Sequence, residues 1–201
     1  MKSIQLFITL LIVLSAACST QKIPDVARLS LRDPRLSMEA RRWLADAEDE
    51  VVIAQAGVDM AASKLARIEE YRKTLNREDV FLPGKNADVK KMEGSLAAYM
   101  DAQLALEEAQ LLAADKAMAL ARARLTQVRA ETAIRYDLAM YPMAPIVKQV
   151  EELKIEVGRA NAVLEDLHVN VEKHAAQLWR DYATFIRAGG VTRNFWKFRR
   201  L

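Results

Sequence analysis

Between Ser37 and Gly190 the chain has only two places at which a helix is made to stop, and the spacing of those breaks constrains the fold more than any other feature. The first lies in NREDVFLPGKN, Asn76 to Asn86, where Pro83-Gly84 is a strong turn signal and Asn86 can cap whatever follows. The second is Tyr141-Pro142-Met143-Ala144-Pro145, where Pro145 can occupy the first turn of a new helix, a place at which its missing N–H costs nothing. Three long uninterrupted segments remain.

Each segment carries an apolar period near 3.5 residues. In the first, Leu44, Ala47, Val51, Ala54, Val58, Ala61, Leu65, Ile68, Arg72 and Leu75 form a heptad stripe broken only by Arg72. Ser37 can cap this helix, and Glu39 suits the positive end of its dipole. Alanine fills one seam position three times running, at Ala47, Ala54 and Ala61, which lets a neighbouring helix come close. The second segment runs from Ala87 to about Met140, a reach of roughly 80 Å at 1.5 Å per residue. Its apolar residues fall in two adjacent registers: Val89, Met92, Leu96, Tyr99 and Leu106, then Leu104, Leu111, Ala114, Met118, Ala121, Leu125 and Val128. A stripe this broad predicts contact with more than one helix. In the third, Val150, Val157, Leu164, Val171, Leu178 and Phe185 recur every seventh residue, with Ile146, Leu153, Ala160 and Leu167 as companions. That helix stops at Gly189-Gly190, a pair suited to a left-handed cap.

With only 6 Gly and 5 Pro and with aromatics at 6%, the composition agrees with long helices. The expected fold is all-α, an elongated antiparallel coiled coil of three long helices with no strand. The alternative keeps the second and third helices in one line with a kink at Pro142 and Pro145.

The N-terminus is organised differently. Lys2 supplies a positive start, Ile4 to Leu14 are almost wholly apolar, and Ser15, Ala16 and Ala17 are small, the layout of a secretory signal peptide. The apolar run is too short to span a membrane. Leu14-Ser15-Ala16-Ala17-Cys18 resembles the lipobox of bacterial lipoproteins, with Ser15 standing where that motif usually has Leu. The resemblance implies that Cys18, the one cysteine of the chain, carries lipid of the palmitate kind once residues 1–17 are removed. Ser19 in place of Asp implies outer-membrane sorting by the same resemblance. Ser15-x-Ala17 equally fits ordinary cleavage, which would leave Cys18 as a free thiol. The expected organisation is a signal peptide over 1–17, a lipid anchor and tether over 18–36, a helical coiled-coil domain over 37–190 and a basic aromatic tail over 191–201.

Chemistry-bearing patterns are sparse. Lys and Arg total 30 against 27 Asp and Glu, so the charge gives no reason to expect nucleic acid as a partner. His168 and His174 stand six residues apart on different helix faces, unlike the four-residue spacing of a shared metal site. Neither a glycine-rich phosphate loop nor a nucleophile elbow is present. The acidic clusters Glu48-Asp49-Glu50, Glu69-Glu70, Glu107-Glu108 and Glu151-Glu152 read as solvated coiled-coil flanks. No catalytic residue, metal or cofactor is expected.

Interaction features remain. Val80-Phe81-Leu82-Pro83-Gly84 and Met140-Tyr141-Pro142-Met143 occupy the two turns, as plugs on their own helices or as docking tips. In the tail, Phe195, Trp196, Lys197, Phe198, Arg199 and Arg200 suit a lipid headgroup layer or an anionic partner, against the alternative of a tail folded back on Trp179 and Tyr182. The run QLALEEAQLLAADKAMALARARLTQVRAETA, Gln103 to Ala133, resembles the Ala-rich periplasmic helices of outer-membrane efflux channels and their adaptors, without their strands, barrels or lipoyl-like domains.

The expected function is a lipid-anchored, non-enzymatic periplasmic coiled-coil protein, a spacer or assembly component of a cell-envelope complex on the periplasmic face of the outer membrane. Its expected partners are the membrane through Cys18, helical protein surfaces and further copies of itself, with no nucleic acid. The alternatives are a helical subunit of an efflux or export complex, and a non-covalent tether to peptidoglycan; the chain ends Arg199-Arg200-Leu201, lacking the lysine of the covalent tethers it resembles.

Overall fold

A computed structural model describes residues 26, 28–75, 80–83 and 88–195. They form three helices, α1 (Met38–Leu75), α2 (Val89–Arg135) and α3 (Met143–Arg187). Two short strands, β1 (Phe81–Leu82) and β2 (Val191–Thr192), complete the set. The architecture is an all-α, elongated antiparallel coiled coil in which the 47-residue α2 reaches about 70 Å. α2 is the middle helix: α1 and α3 each pack along it and scarcely approach one another. The two registers in its sequence therefore serve two partners.

Ion pairs fix the register. Lys91 Nζ meets Asp181 Oδ1 at 2.8 Å, and Lys116 Nζ meets Glu156 Oε2 at 2.7 Å. Going from 91 to 116 on α2 and from 181 back to 156 on α3 is 25 residues in both cases, so the two helices run antiparallel without a slip. Pro142 and Pro145 thus stand in a hairpin, not a kink. Glu48 with Arg129 at 3.0 Å and Arg72 with Asp101 at 2.7 Å set α1 antiparallel to α2, the two pairs lying 24 residues apart on α1 and 28 on α2.

Every position of the α1 heptad is buried or half-buried except Arg72, whose exposed side chain pairs with Asp101. The same holds throughout the α3 heptad. Leu44, Ile68, Met92, Leu96, Met100 and Ile146 are fully enclosed, and each contributes about 1.5–3 kcal/mol of apolar burial.

The helix ends follow local chemistry. Ser37 caps α1, its Oγ accepting from the Ala40 amide at 3.1 Å. Asn86 lies outside the described residues and is not the cap of α2: the helix starts at Val89, and the Asp88 carboxylate accepts from the Lys91 amide at 2.9 Å. An acidic group there also suits the helix dipole. α2 stops at Arg135, short of the expected Met140, because Asp137 adopts φ 51° and the Leu138 amide turns back to the Ala133 carbonyl at 2.8 Å. Leu138 then packs with Leu36, Ala40 and Leu44, which ties the end of α2 to the start of α1. α3 ends in the same manner, with Gly189 at φ 83° and the Gly190 amide bonded to the Phe185 carbonyl at 3.0 Å.

Two expectations need correction. Strands do occur: β1 and β2 pair antiparallel, Phe81 opposite Thr192, and the Arg193 amide extends the ladder to the Val80 carbonyl at 2.8 Å. A two-residue pair is too short to leave any alternation in the sequence. The stretch read as a tether is also partly docked. Val26 packs on Ala130 and Ile146, while Leu29 and Leu36 pack with Ala40, Leu44, Val128 and Tyr136.

Candidate functional site

The antiparallel layout gives the rod two unlike ends. At the entry end lie Val26, the start of α1 and the α2–α3 turn, tied by a hydrogen bond between the Ser37 and Tyr136 hydroxyls. At the far end lie β1, β2 and the last turns of α3. Cys18, the expected lipidation site, falls outside the described residues.

The far end is an aromatic knot. Phe195 stacks on Tyr182 with centroids 4.8 Å apart and planes at 12°, and meets Trp179 and Phe81 at 5.9 and 5.7 Å. Phe81 meets Phe185 edge-on at 5.6 Å. Phe195 and Phe81 are both buried, so the first turn is a plug on its own helices and the tail folds back at its first aromatic residue. Trp196, Lys197, Phe198, Arg199 and Arg200 lie outside the described residues. The second turn behaves otherwise: Met143 packs on the entry-end core, but Met140 points outward.

Beside the knot sits a polar cluster that sequence reasoning missed. Asp181 is 5% exposed, yet both carboxylate oxygens are satisfied: Lys91 Nζ donates to Oδ1, and Ser95 Oγ and Gln177 Nε2 donate to Oδ2 at 2.6 and 2.8 Å. These hydrogen bonds, Lys91 first, hold its pKa at about 2, below the ordinary value of 3.8. The available signal was a charge at a seam position, three residues after Leu178 and four before Phe185. The adjoining cleft, which includes Asp88, Met92 and Thr184 in its lining, has a volume of about 70 Å³. Metabolite pockets run to several hundred Å³, so this cleft suits a structural role.

Two of the four acidic clusters are drawn into ion pairs along the rod, Glu48 with Arg129 and Glu50 with Arg124 in one, Glu151 with Lys154 and Glu152 with Lys148 in the other. His168 is exposed and His174 half-buried, and among the described residues no three His, Cys, Asp or Glu side chains gather as a metal site. No helix among the described residues is long and apolar enough to cross a membrane.

Two surfaces stand out. Near mid-rod, Val52, Ile53 and Met60 of α1, Leu112 of α2 and Ile155 and Val163 of α3 are exposed apolar side chains. At the entry end, Arg28, Leu29, Ser30, Leu31 and Arg32 border a groove of about 360 Å³ against Glu48 of α1. No family model, curated protein or solved structure matches this chain.

Proposed function

We propose that this chain is a lipid-anchored, non-enzymatic rod of the bacterial periplasm, held to the outer membrane through Cys18 and acting as a spacer or assembly component of a cell-envelope complex. The observation that carries the reading is directional. Val26 enters the bundle at one end, Phe195 is fixed at the other, and the 47 residues of α2 separate the two by about 70 Å. A chain anchored a few residues before Val26 would place the basic aromatic tail far from its anchor, which is what a spacer requires. The signal-like run Ile4 to Leu14 and the lipobox-like residues ending in Cys18 supply the anchor of this reading.

Mass spectrometry of the mature N-terminal peptide from the membrane fraction tests it. An acylated Cys18 supports the anchored rod, and an unmodified Cys18 overturns it in favour of a secreted, unanchored rod.

The mid-rod belt favours a second reading, a helical subunit of a larger assembly such as an efflux or export complex. Val52, Ile53 and Met60 present an apolar face on α1 that no helix among the described residues covers. Crosslinking in cells should then yield discrete larger species, whereas a lone monomer would count against an assembly role.

A further inference from the structure

We propose that the entry end of the rod is an interfacial foot that rests on an anionic lipid surface, with Met38 and Met140 entering the headgroup layer. This deepens the anchored-rod reading and rests on it for bringing that end to a membrane. Met38 at 81% and Met140 at 82% are the most exposed large apolar side chains among the described residues, and both belong to this end. Met38 follows Ser37, whose hydroxyl is bonded to that of Tyr136, and Met140 lies four residues beyond Tyr136 in the α2–α3 turn. Soluble turns and helix starts have no use for two projecting thioethers. A bilayer surface does, since flexible apolar side chains gain by entering it.

The charge around the tips is of the matching sign. From Val26 to Trp43 the sequence holds five arginines, Arg28, Arg32, Arg35, Arg41 and Arg42, against Asp33 and Glu39. Arg35 is engaged with Asp33 at 2.8 Å, but Arg28 and Arg32 are exposed and form no ion pair among the described residues. Arg135 lies over the Trp43 ring at 4.8 Å, and that ring is itself partly exposed. An indole beside a guanidinium is at home at headgroup depth. α1 and α3 also both begin at this end, so two helix dipoles direct their positive ends towards the lipid and only α2 opposes them. Cys18 precedes Val26 by eight residues, a span of at most about 28 Å, so an anchored chain keeps the foot within reach of its own membrane.

The far end competes in sequence, where Lys197, Arg199 and Arg200 follow aromatic residues. Its described aromatics, however, are spent on one another: Phe81, Phe185 and Phe195 are buried. Its outward apolar side chains, Val191 at 55% and Trp179 and Ile186 at 40% exposure, project less than Met38 and Met140 at the entry end.

The test uses the full lipidated chain reconstituted in vesicles, with a thiol-reactive fluorophore at Met140→Cys or, at the far end, Val191→Cys. Vesicles are phosphatidylcholine alone or equal parts phosphatidylcholine and phosphatidylglycerol, each doped with a lipid carrying a headgroup-level quencher. The label at 140 should lose most of its emission in the anionic vesicles and less in the neutral ones, while the label at 191 stays bright. Raising the salt should restore emission at 140, as should Arg28→Gln with Arg32→Gln, each arginine weakening the surface contact about fivefold. A bright label at 140 in anionic vesicles, or equal quenching at 191, overturns the foot. Flotation at high salt separates the two ideas: protein that stays on vesicles with a bright label at 140 keeps the anchor and loses the foot, and protein that leaves at high salt but is quenched at 140 when bound keeps the foot and loses the anchor.

Discussion

Lys91 and Asp181 meet at 2.8 Å across the α2–α3 seam, and the carboxylate is buried although the ammonium is half exposed. Taking water from a carboxylate is costly, and Ser95 and Gln177 supply the replacement hydrogen bonds. Asp181→Asn removes the charge and turns one acceptor into a donor facing donors, so stability should fall by about 1–3 kcal/mol. The pH dependence has a definite sign. A folded-state pKa of about 2 against an ordinary 3.8 means that ionised Asp181 stabilises the fold fully above about 4 and loses that contribution as pH falls towards 2. Urea unfolding of wild type and Asp181→Asn should therefore diverge least at the acid end; a constant difference from pH 5 to 2 would show that ionisation of Asp181 adds nothing to stability.

Gly190 is placed against the ring of Phe185 so closely that an added Cβ would lie inside van der Waals contact. Gly190→Ala must push Phe185 away from Phe81, its edge-on partner at 5.6 Å. The expected cost is about 1–3 kcal/mol. Gly189→Ala fails for another reason, since its φ of 83° strains any residue with a Cβ while the surrounding space is open. Gly189→Asn should recover part of the loss, and Gly190→Asn none. Thermal midpoints of the four variants check both claims.

How much of this was legible in advance follows from what each feature depends on. The α1 and α3 heptads could be read because burial of Leu44, Ile68, Val171 and Leu178 is a periodic demand that every turn repeats. The premature stop of α2 could not, because it hangs on one aspartate in a left-handed conformation, a role usually given to glycine. Asp181 escaped notice for a similar reason. A single seam charge is destabilising unless three donors converge on it, and two of them, Lys91 and Ser95, lie on another helix more than eighty residues away. The entry-end foot needed the fold as well, since Met38 and Met140 become neighbours in function only when the hairpin closes.

Ser37 caps α1 and at the same time grips Tyr136, the residue that ends α2. Ser37→Ala loses both bonds and should cost about 1 kcal/mol for the cap alone. Tyr136→Phe removes only the second bond. A double-mutant cycle should show coupling of about 0.5 kcal/mol or more between the two sites, and strict additivity would mean that the hydroxyl pair contributes nothing.

The alanine seam of α1 gives the sharpest test of packing. Ala47 and Ala61 are buried against α2 and Ala54, midway between them, is half-buried, a spacing that only a small side chain permits. Ala61→Leu adds three carbons where α2 leaves no room, and overpacking of this kind costs about 1–3 kcal/mol. Ala56→Leu is the matched control, an exposed position on the same helix. Alanine and leucine have nearly equal helix propensity, so the two variants differ only in what the new side chain meets. The control should stay within about 0.5 kcal/mol of wild type. Position 56 stands beside exposed Ile53 and Met60, so if the mid-rod belt is a self-association face, Ala56→Leu should tighten association while Ala61→Leu leaves it unchanged. Denaturation midpoints combined with sedimentation of both variants separate the effects. Equal destabilisation by Ala56→Leu and Ala61→Leu would mean that α1 does not present Ala61 to α2.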